Sequence, residues 1–183
     1  MVEITASLVL QVVQTIALIV GIAYYIMTLQ NTRKNQQMTL ESTQLRTLAN
    51  FSDNYTEADA MRGAELMNME WEDYDDYERK YGSDFNLDNY SKRMVNWGRY
   101  NTMGILLRRG LIERDLLFEY AQHAPIQHWT KFKDVIYEMR RRYNVPLFGV
   151  DFEYLADECR KYVEEKGFDP KVPDTFFRYV PDE

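Results

Sequence analysis

The feature that most constrains this chain is an uncharged apolar segment near its start, from Ile4 to Gln30. No charged residue lies between Glu3 and Arg33. The 26 residues from Ile4 to Leu29 would form a helix roughly 39 Å long, at about 1.5 Å per residue. That length exceeds the hydrocarbon core of a bilayer, which is roughly 30 Å thick. The segment therefore predicts a transmembrane helix that tilts or reaches into the headgroups.

A cleaved signal peptide and a buried core helix are the other two interpretations of this segment. A cleaved signal peptide has a positively charged start and a shorter apolar core, whereas this chain begins with Glu3 and without Lys or Arg. A stretch of 26 residues without a charge is unusually long for a buried core helix of a soluble protein. Both fit the residues less well than a membrane span.

The charges beside the segment predict its orientation. Arg33 and Lys34 follow the span directly, and no basic residue precedes it. Basic residues favour the cytoplasmic side of a membrane, so we expect a single-pass protein of the cell membrane with its N-terminus outside and its C-terminal body in the cytoplasm. Tyr24 and Tyr25 would lie in the inner aromatic belt.

Small and polar residues recur along one face of this helix, at alternating steps of four and three. The stripe consists of Ser7, Gln11, Gln14, Leu18, Gly21, Tyr25, Thr28 and Thr32. Lipid offers the two glutamine amides no hydrogen-bond partner, and small or polar faces are where membrane helices associate. We therefore predict a homo-oligomer within the bilayer, held through Ser7, Gln11, Gln14, Gly21, Tyr25 and Thr28. Two alternatives stay open: amides that bond to their own backbone, or a stripe that lines a water-filled pore.

The charge balance of the chain argues against some partners. The 183 residues contain 22 basic and 29 acidic side chains, giving a net charge of −7 and a pI near 5.0. All but one of the charges follow the apolar segment. An acidic body disfavours binding to nucleic acid and broad attraction to anionic lipid. The sole cysteine, Cys159, excludes an internal disulfide and a cysteine-based zinc site.

The periodicity after the span is helical throughout, without strand-like alternation, and predicts an all-α protein. We divide the chain into a transmembrane helix (1–32), a helical stalk (33–52) and a helical cytoplasmic domain (53–183) with an extended C-terminal tail from 168. Within that domain the patterns predict helices over 57–69, 71–81, 89–109, 111–121, 125–143 and 152–166. The expected N-caps are Thr56, Asp88 and Asp151, and we expect Gly98 and Gly104 to mark the close approach of another helix.

Signals of chemistry are weak, and we assign no catalytic, cofactor-binding or metal-binding residue. Twelve acidic residues lie between 53 and 88, but they lack the alternate spacing and central glycine of a calcium loop. His123 and His128 are five residues apart, which does not suit a metal pair on a helix. Cys159 falls on an apolar face, which favours a small buried side chain, although pairing with either histidine as a nucleophile stays open.

Three arginines, Arg140, Arg141 and Arg142, end the predicted helix over 125–143. Cations in the last turn compensate the negative end of the helix dipole, which is the simpler explanation for this triplet. Phosphate binding is the alternative.

Several segments together resemble a known family. These are the end of the span at 24–33, Gly104-Ile-Leu-Leu-Arg-Arg-Gly-Leu-Ile112, Trp129 before an arginine-ended helix, and Phe152-Glu-Tyr-Leu-Ala156. The chain resembles an uncharacterised family of small single-pass membrane proteins of archaea and bacteria, known only by a domain of unknown function. The resemblance implies a membrane anchor and a helical cytoplasmic domain. It implies no activity, ligand or catalytic residue.

Three functions follow as hypotheses. The favoured one is a non-enzymatic, self-associating membrane protein whose helical domain is an interaction or scaffold module. The second is a subunit of an oligomeric pore, with Gln11 and Gln14 facing its lumen. The third is a membrane-tethered enzyme, which would need a polar pocket joining Cys159 to a histidine or a metal among the acids near residues 73–78.

Overall fold

The structure, a computed structural model, describes residues 6–53 and 55–173. Within these residues it consists of seven α-helices and contains no β-strand, which confirms the predicted all-helical class. The helices are α1 (Ala6–Asp53), α2 (Glu57–Met67), α3 (Tyr74–Tyr81), α4 (Leu87–Arg108), α5 (Arg114–Ala121), α6 (Ala124–Arg142) and α7 (Val150–Glu165).

The chain divides into two compact units, Met1–Thr47 and Leu48–Glu183. The described part of the first unit is α1 as far as Thr47, so the apolar segment and most of the predicted stalk lie in one helix. Its most apolar 18-residue window has a mean hydropathy of 2.1, and none of that window is buried. Within the described residues α1 is the one helix long and apolar enough to cross a membrane. The first five residues lie outside the described part of the chain.

The core of the second unit forms where α7 packs against α4 and α6. The apolar side of α6 lies in this core, since Ile126, Trp129, Phe132 and Ile136 are all at most 2% exposed. Phe152 of α7 is fully buried; it stacks on Tyr100 with ring centroids 4.9 Å apart and meets Trp129 edge-on at 5.2 Å. Aromatic side chains therefore join the three helices.

The two glycines of α4 differ in their surroundings. A Cβ at Gly104 would lie 1.9 Å from the carbonyl oxygen of Asp151 in the first turn of α7, so only glycine fits here. This confirms the predicted close approach of another helix. The same prediction is wrong for Gly98, because a Cβ there would meet nothing within 4 Å and the residue is exposed.

The predicted N-cap of α2 is correct, and the predicted N-cap of α4 is wrong. Thr56 caps α2 in a capping box with Asp59: the Thr56 hydroxyl accepts from the Asp59 N–H, and the Asp59 carboxylate accepts from the Thr56 N–H. Asp88 was predicted to cap α4, but the Asn86 side chain accepts the hydrogen bond from the Asn89 N–H at 3.0 Å instead. Asp88 lies one residue inside the helix, where its charge complements the dipole.

The predicted cap of α7, Asp151, is also wrong. The helix begins two residues earlier than predicted, at Val150, and Gly149 occupies the cap position with φ +68°. This left-handed conformation favours glycine and lets the chain turn tightly into α7. Asp151 lies in the first turn instead, where its carbonyl meets Gly104 and its carboxylate is 3.2 Å from Arg108.

Other boundaries differ from those predicted by a few residues. The helix predicted over 71–81 begins only at Tyr74, because the Asp73 side chain caps it, and Trp71 therefore precedes the helix. Helix α2 ends at Met67 and α5 begins at Arg114, each shorter than predicted. The described part of the C-terminal tail, residues 168–173, is not helical, and the predicted extended tail otherwise lies outside the described residues.

A buried arginine lies between α3 and α4. Arg93 is 1% exposed and, among the described residues, has no carboxylate partner. It donates to the Tyr81 carbonyl at 3.1 Å and to the Asn89 side chain at 2.8 Å. Its guanidinium also lies over three aromatic rings, those of Tyr77, Tyr90 and Trp97, at 4.9 to 5.6 Å. Ring faces and neutral acceptors thus stabilise this charge.

Candidate functional site

The sequence-predicted association residues all lie on the exposed surface of α1. Ser7, Gln11, Gln14, Gly21, Tyr25 and Thr28 are each exposed, and a Cβ at Gly21 would meet nothing within 4 Å. Because α1 is one regular helix, their spacing places them on one face. The surface that was predicted to associate is therefore uncovered in the single chain.

The polar side chains of this face differ in their hydrogen bonding. The Thr28 hydroxyl donates to the Tyr24 carbonyl at 2.9 Å, so this residue needs no partner from another chain. Thr15, beside the stripe, bonds in the same way to the Gln11 carbonyl. The amides of Gln11 and Gln14 make no hydrogen bond to any described residue. In lipid, these two amides would be stabilised most by hydrogen bonds to a second copy of the chain.

A second candidate site, which the sequence did not predict, is a cavity in the helical domain. It has a volume of about 420 Å³ and lies between α2, α4, α5 and α6. We call it the polar cavity. Its lining residues are Tyr55, Asp59, Gly63, Asn96, Arg99, Tyr100, Met103, Tyr120, Ala121, Ala124 and His128.

His128 is the most buried titratable group of the polar cavity, at 8% exposure. Its Nδ1 lies 3.0 Å from the Ala124 carbonyl oxygen and 3.1 Å from the Tyr100 hydroxyl. Burial lowers the pKa of the imidazole to about 4, so the ring is neutral near pH 7. Its Nε2 is buried and has no hydrogen-bond partner among the described residues.

Asn96 and Arg99 line the cavity from α4. The Asn96 Oδ1 is buried and, like the His128 Nε2, has no partner in the described chain. Arg99 lies 3.8 Å from the Asp59 carboxylate and 5.6 Å from the Tyr55 ring centroid. The hydrogen bonds from Thr56, together with Arg99 and Arg62, hold the pKa of Asp59 below its usual value.

The cysteine does not have the surroundings of a nucleophile. Cys159 is fully buried, and its Sγ lies 3.1 Å from the Gln122 carbonyl oxygen. Burial raises the pKa of the thiol to about 12, whereas a reactive cysteine needs a lowered pKa. His128 bonds to Ala124 and Tyr100 rather than to this thiol. This confirms the favoured prediction that Cys159 is a small buried side chain.

The acidic run makes ion pairs. Asp76 is buried; Lys80 lies 2.7 Å from its carboxylate, Arg79 also pairs with it, and both hold its pKa below the usual range. Asp75 pairs with Arg142 of α6, and Glu78 accepts from the Tyr143 hydroxyl. Among the described residues no group of three potential ligands is placed to hold a metal ion.

The arginine triplet at the end of α6 is also neutralised by carboxylates. Arg140 donates to Glu153 at 2.8 Å, and its Nε donates to the Phe148 carbonyl at 2.7 Å. Arg141 and Arg142 both donate to Glu138 and hold the pKa of that carboxylate at about 2. These partners favour the structural explanation of the triplet over phosphate binding.

The fold and the polar cavity define an all-helical domain that follows one long apolar helix. The chain belongs to the family described as the domain of unknown function DUF4760, which matches residues 11–159. The match covers most of α1 and continues into α7, and it confirms the resemblance to an uncharacterised family. No curated protein matches the chain. No solved structure matches it either.

The sequence did contain a signal for the cavity. His128 precedes Phe132 and Val135 by four and seven residues, positions that lie on the buried face of α6. A polar ring at such a position needs a partner. Asn96 and Tyr100 are likewise one turn apart on α4. Which helices would bring these residues together was not visible in the sequence.

Proposed function

We propose that this chain is a single-pass membrane protein that self-associates through α1 and presents its helical domain to the cytoplasm as an interaction module. The observation that carries the proposal is the long apolar face of α1: an 18-residue window with a mean hydropathy of 2.1 and no buried residue. Exposure of such a surface to water is unfavourable, and its burial in lipid lowers the free energy by roughly 25 cal/mol per Å².

The proposed orientation rests on the basic residues Arg33 and Lys34, which follow the apolar segment. Self-association is supported by Gln11 and Gln14, whose amides share one exposed face with Ser7 and Gly21. Interhelical hydrogen bonds between such amides stabilise helix pairs in membranes by about 1 kcal/mol each. We assign the domain a binding rather than a catalytic role, which the high pKa of Cys159 supports.

Disulfide crosslinking in membranes tests the association. In a Cys159→Ala background, Ser7→Cys places a thiol on the stripe, and Val9→Cys places the same thiol on the opposite side of the helix. We expect oxidation to link the Ser7→Cys chains far more efficiently than the Val9→Cys chains. Equal yields from both positions, or monomer only, would contradict association through this face.

Substitution of the amides gives a second measurement. Gln11→Leu with Gln14→Leu removes both amides while keeping the helix apolar, and we expect the crosslinked fraction to fall several-fold. Thr15→Val is the matched control, because its hydroxyl is already bonded to the Gln11 carbonyl and lies beside the stripe. If the double variant crosslinks like the wild type, the amides do not hold the oligomer.

A further inference from the structure

We propose that the exposed face of α4 pairs with the same face of a second copy of the chain, with the two helices antiparallel and crossing at Gly98. We call this surface the α4 face; it consists of Leu87, Ser91, Val95, Gly98, Thr102 and Ile105. The face belongs to the second unit, Leu48–Glu183, so the pairing goes beyond the proposed association through α1. It rests on the proposed membrane anchoring, which keeps two copies close together.

The α4 face carries no charge, although it is open to solvent. Leu87 and Val95 are 66% and 56% exposed, and no exposed residue of α4 between Asp88 and Arg108 is charged. In α7, by contrast, every exposed residue is charged. These residues are Asp157, Lys161, Glu164 and Glu165. An apolar surface that runs along a whole helix is typical of an interaction site.

The two hydroxyl groups of the α4 face are already hydrogen-bonded within the helix. Ser91 Oγ donates to the Leu87 carbonyl at 2.8 Å, and Thr102 Oγ1 donates to the Gly98 carbonyl at 2.9 Å. Because these donors are satisfied, covering the face with another helix would leave neither of them without a partner. Burial of the face is therefore favourable, as for an apolar surface.

Gly98 lies at the middle of α4, which runs from Leu87 to Arg108. Glycine is unfavourable in a helix interior, and no described residue lies within 4 Å of the position that a Cβ would take here. A second helix that crosses at Gly98 could approach more closely than one that crosses over a side chain. A groove of about 220 Å³ beside Gly98, lined also by Leu147, leaves room for side chains of the partner.

The charges at the two ends of the α4 face favour an antiparallel second copy. Asp88 lies ten residues before Gly98, and Arg109 lies eleven residues after it. A two-fold axis at Gly98 therefore brings Asp88 of each copy beside Arg109 of the other. Arg109 is exposed and makes no ion pair with a described residue, whereas Asp88 also contacts Lys92 at 2.7 Å. A parallel pair would place like charges together.

The size of the α4 face indicates a weak contact. From Leu87 to Ile105 it extends about 27 Å, on a helix about 10 Å across. This gives roughly 300 Å² per copy, which is well below the roughly 800 Å² per partner of a stable complex. We therefore expect no dimer of free chains through this face. Two copies anchored in one membrane meet at a much higher effective concentration, at which a weak contact forms.

Disulfide crosslinking in membranes tests the pairing and its direction. In a Cys159→Ala background, Val95→Cys and Thr102→Cys each place one thiol on the α4 face, on opposite sides of Gly98. In the antiparallel pair, residue 95 of one copy lies within about 1.5 Å, along the helix, of residue 102 of the other. The two copies of residue 95 are about 9 Å apart along the helix, and those of residue 102 about 12 Å. A disulfide needs Cα atoms within about 7 Å.

We expect oxidation to link the two variants, co-expressed with tags of different size, several-fold more efficiently than it links either variant to itself. Adding Gly98→Leu to both chains should lower the mixed product several-fold, because the leucine keeps the helices apart. The matched control is Gly63→Leu, since Gly63 is a helical glycine of α2 whose Cβ would also meet nothing within 4 Å. It should leave the mixed product unchanged.

The proposal is overturned if no mixed product forms, if each variant links to itself as efficiently as to the other, or if Gly98→Leu has no effect. The Ser7→Cys crosslink measures association through α1 separately. A Ser7→Cys link without the mixed α4 product contradicts only the pairing of α4. The mixed product without a Ser7→Cys link contradicts only the association through α1.

Discussion

At the scale of single residues, the most informative side chain is His128. Its ring is buried among Tyr100, Ala124 and the rest of the polar cavity, and burial lowers its pKa from 6.5 to about 4. The unfolded chain therefore takes up a proton at a pH where the folded chain does not. The folded state loses stability as the pH falls through that interval.

We predict that the free energy of unfolding drops by about 2 kcal/mol between pH 7 and pH 5 on account of His128 alone. The contribution is fully present above pH 6.5, decreases as the pH falls toward about 4, and is constant below that. Chemical denaturation of the full chain in detergent, followed by tryptophan fluorescence, measures this slope.

Substitution of the histidine tests that assignment. His128→Asn should flatten the slope between pH 7 and pH 5. The lowered carboxylate pKa values, such as that of Glu138 at about 2, act only at lower pH. An unchanged slope in His128→Asn would show that the folded chain binds that proton after all.

At the scale of helices, the packing of α4 against α7 depends on one missing side chain. The backbone of Asp151 occupies the space that a Cβ at Gly104 would need, at 1.9 Å. Neither backbone can move independently, because Tyr100 stacks on Phe152 one turn away. This contact fixes the distance between the two helices.

We predict that Gly104→Ala destabilises the domain by about 1–3 kcal/mol, since the two helices must separate to admit the methyl group. Gly98→Ala makes the identical change six residues earlier in the same helix, where nothing lies within 4 Å. It should stabilise the domain by about 0.5–1 kcal/mol through helix propensity. Thermal or denaturant unfolding of both variants measures the difference, and effects of the same sign would contradict the assigned packing.

This pair of glycines also shows how far the sequence could predict the fold. Periodicity predicted the helices, because a helix that buries one face carries its apolar residues at helical spacing. It could not separate Gly104 from Gly98, because the difference lies in which helix passes nearby. The sequence also could not distinguish Asn86 from Asp88 as the N-cap of α4, because both residue types are good caps.

The two candidate sites also differ in whether they depend on one helix or on the packing of several. The stripe on α1 could be predicted because all its residues belong to one helix with a fixed step. The polar cavity could not, because its lining comes from four helices and from Tyr55. The orphan atoms of Asn96 and His128 become visible only when those helices are packed.

At the scale of the whole molecule, the asymmetry of charge around the apolar segment predicts on which side of the membrane the helical domain lies. In a Cys159→Ala background, Glu164→Cys places a thiol on the exposed surface of α7. We expect a membrane-impermeant maleimide to label it only after the cells are permeabilised, because the body is proposed to be cytoplasmic. Labelling of intact cells would place the domain outside and reverse the orientation.

The contact between Gly104 and Asp151 also bears on how the protein is made. The helical domain cannot complete its core until α7 has left the ribosome, because α4 needs a partner that is synthesised about 50 residues later. The apolar segment of α1 precedes this domain in the chain and emerges before that moment. In the proposed membrane protein, it would be available for insertion into the bilayer while the helical domain is still unfolded.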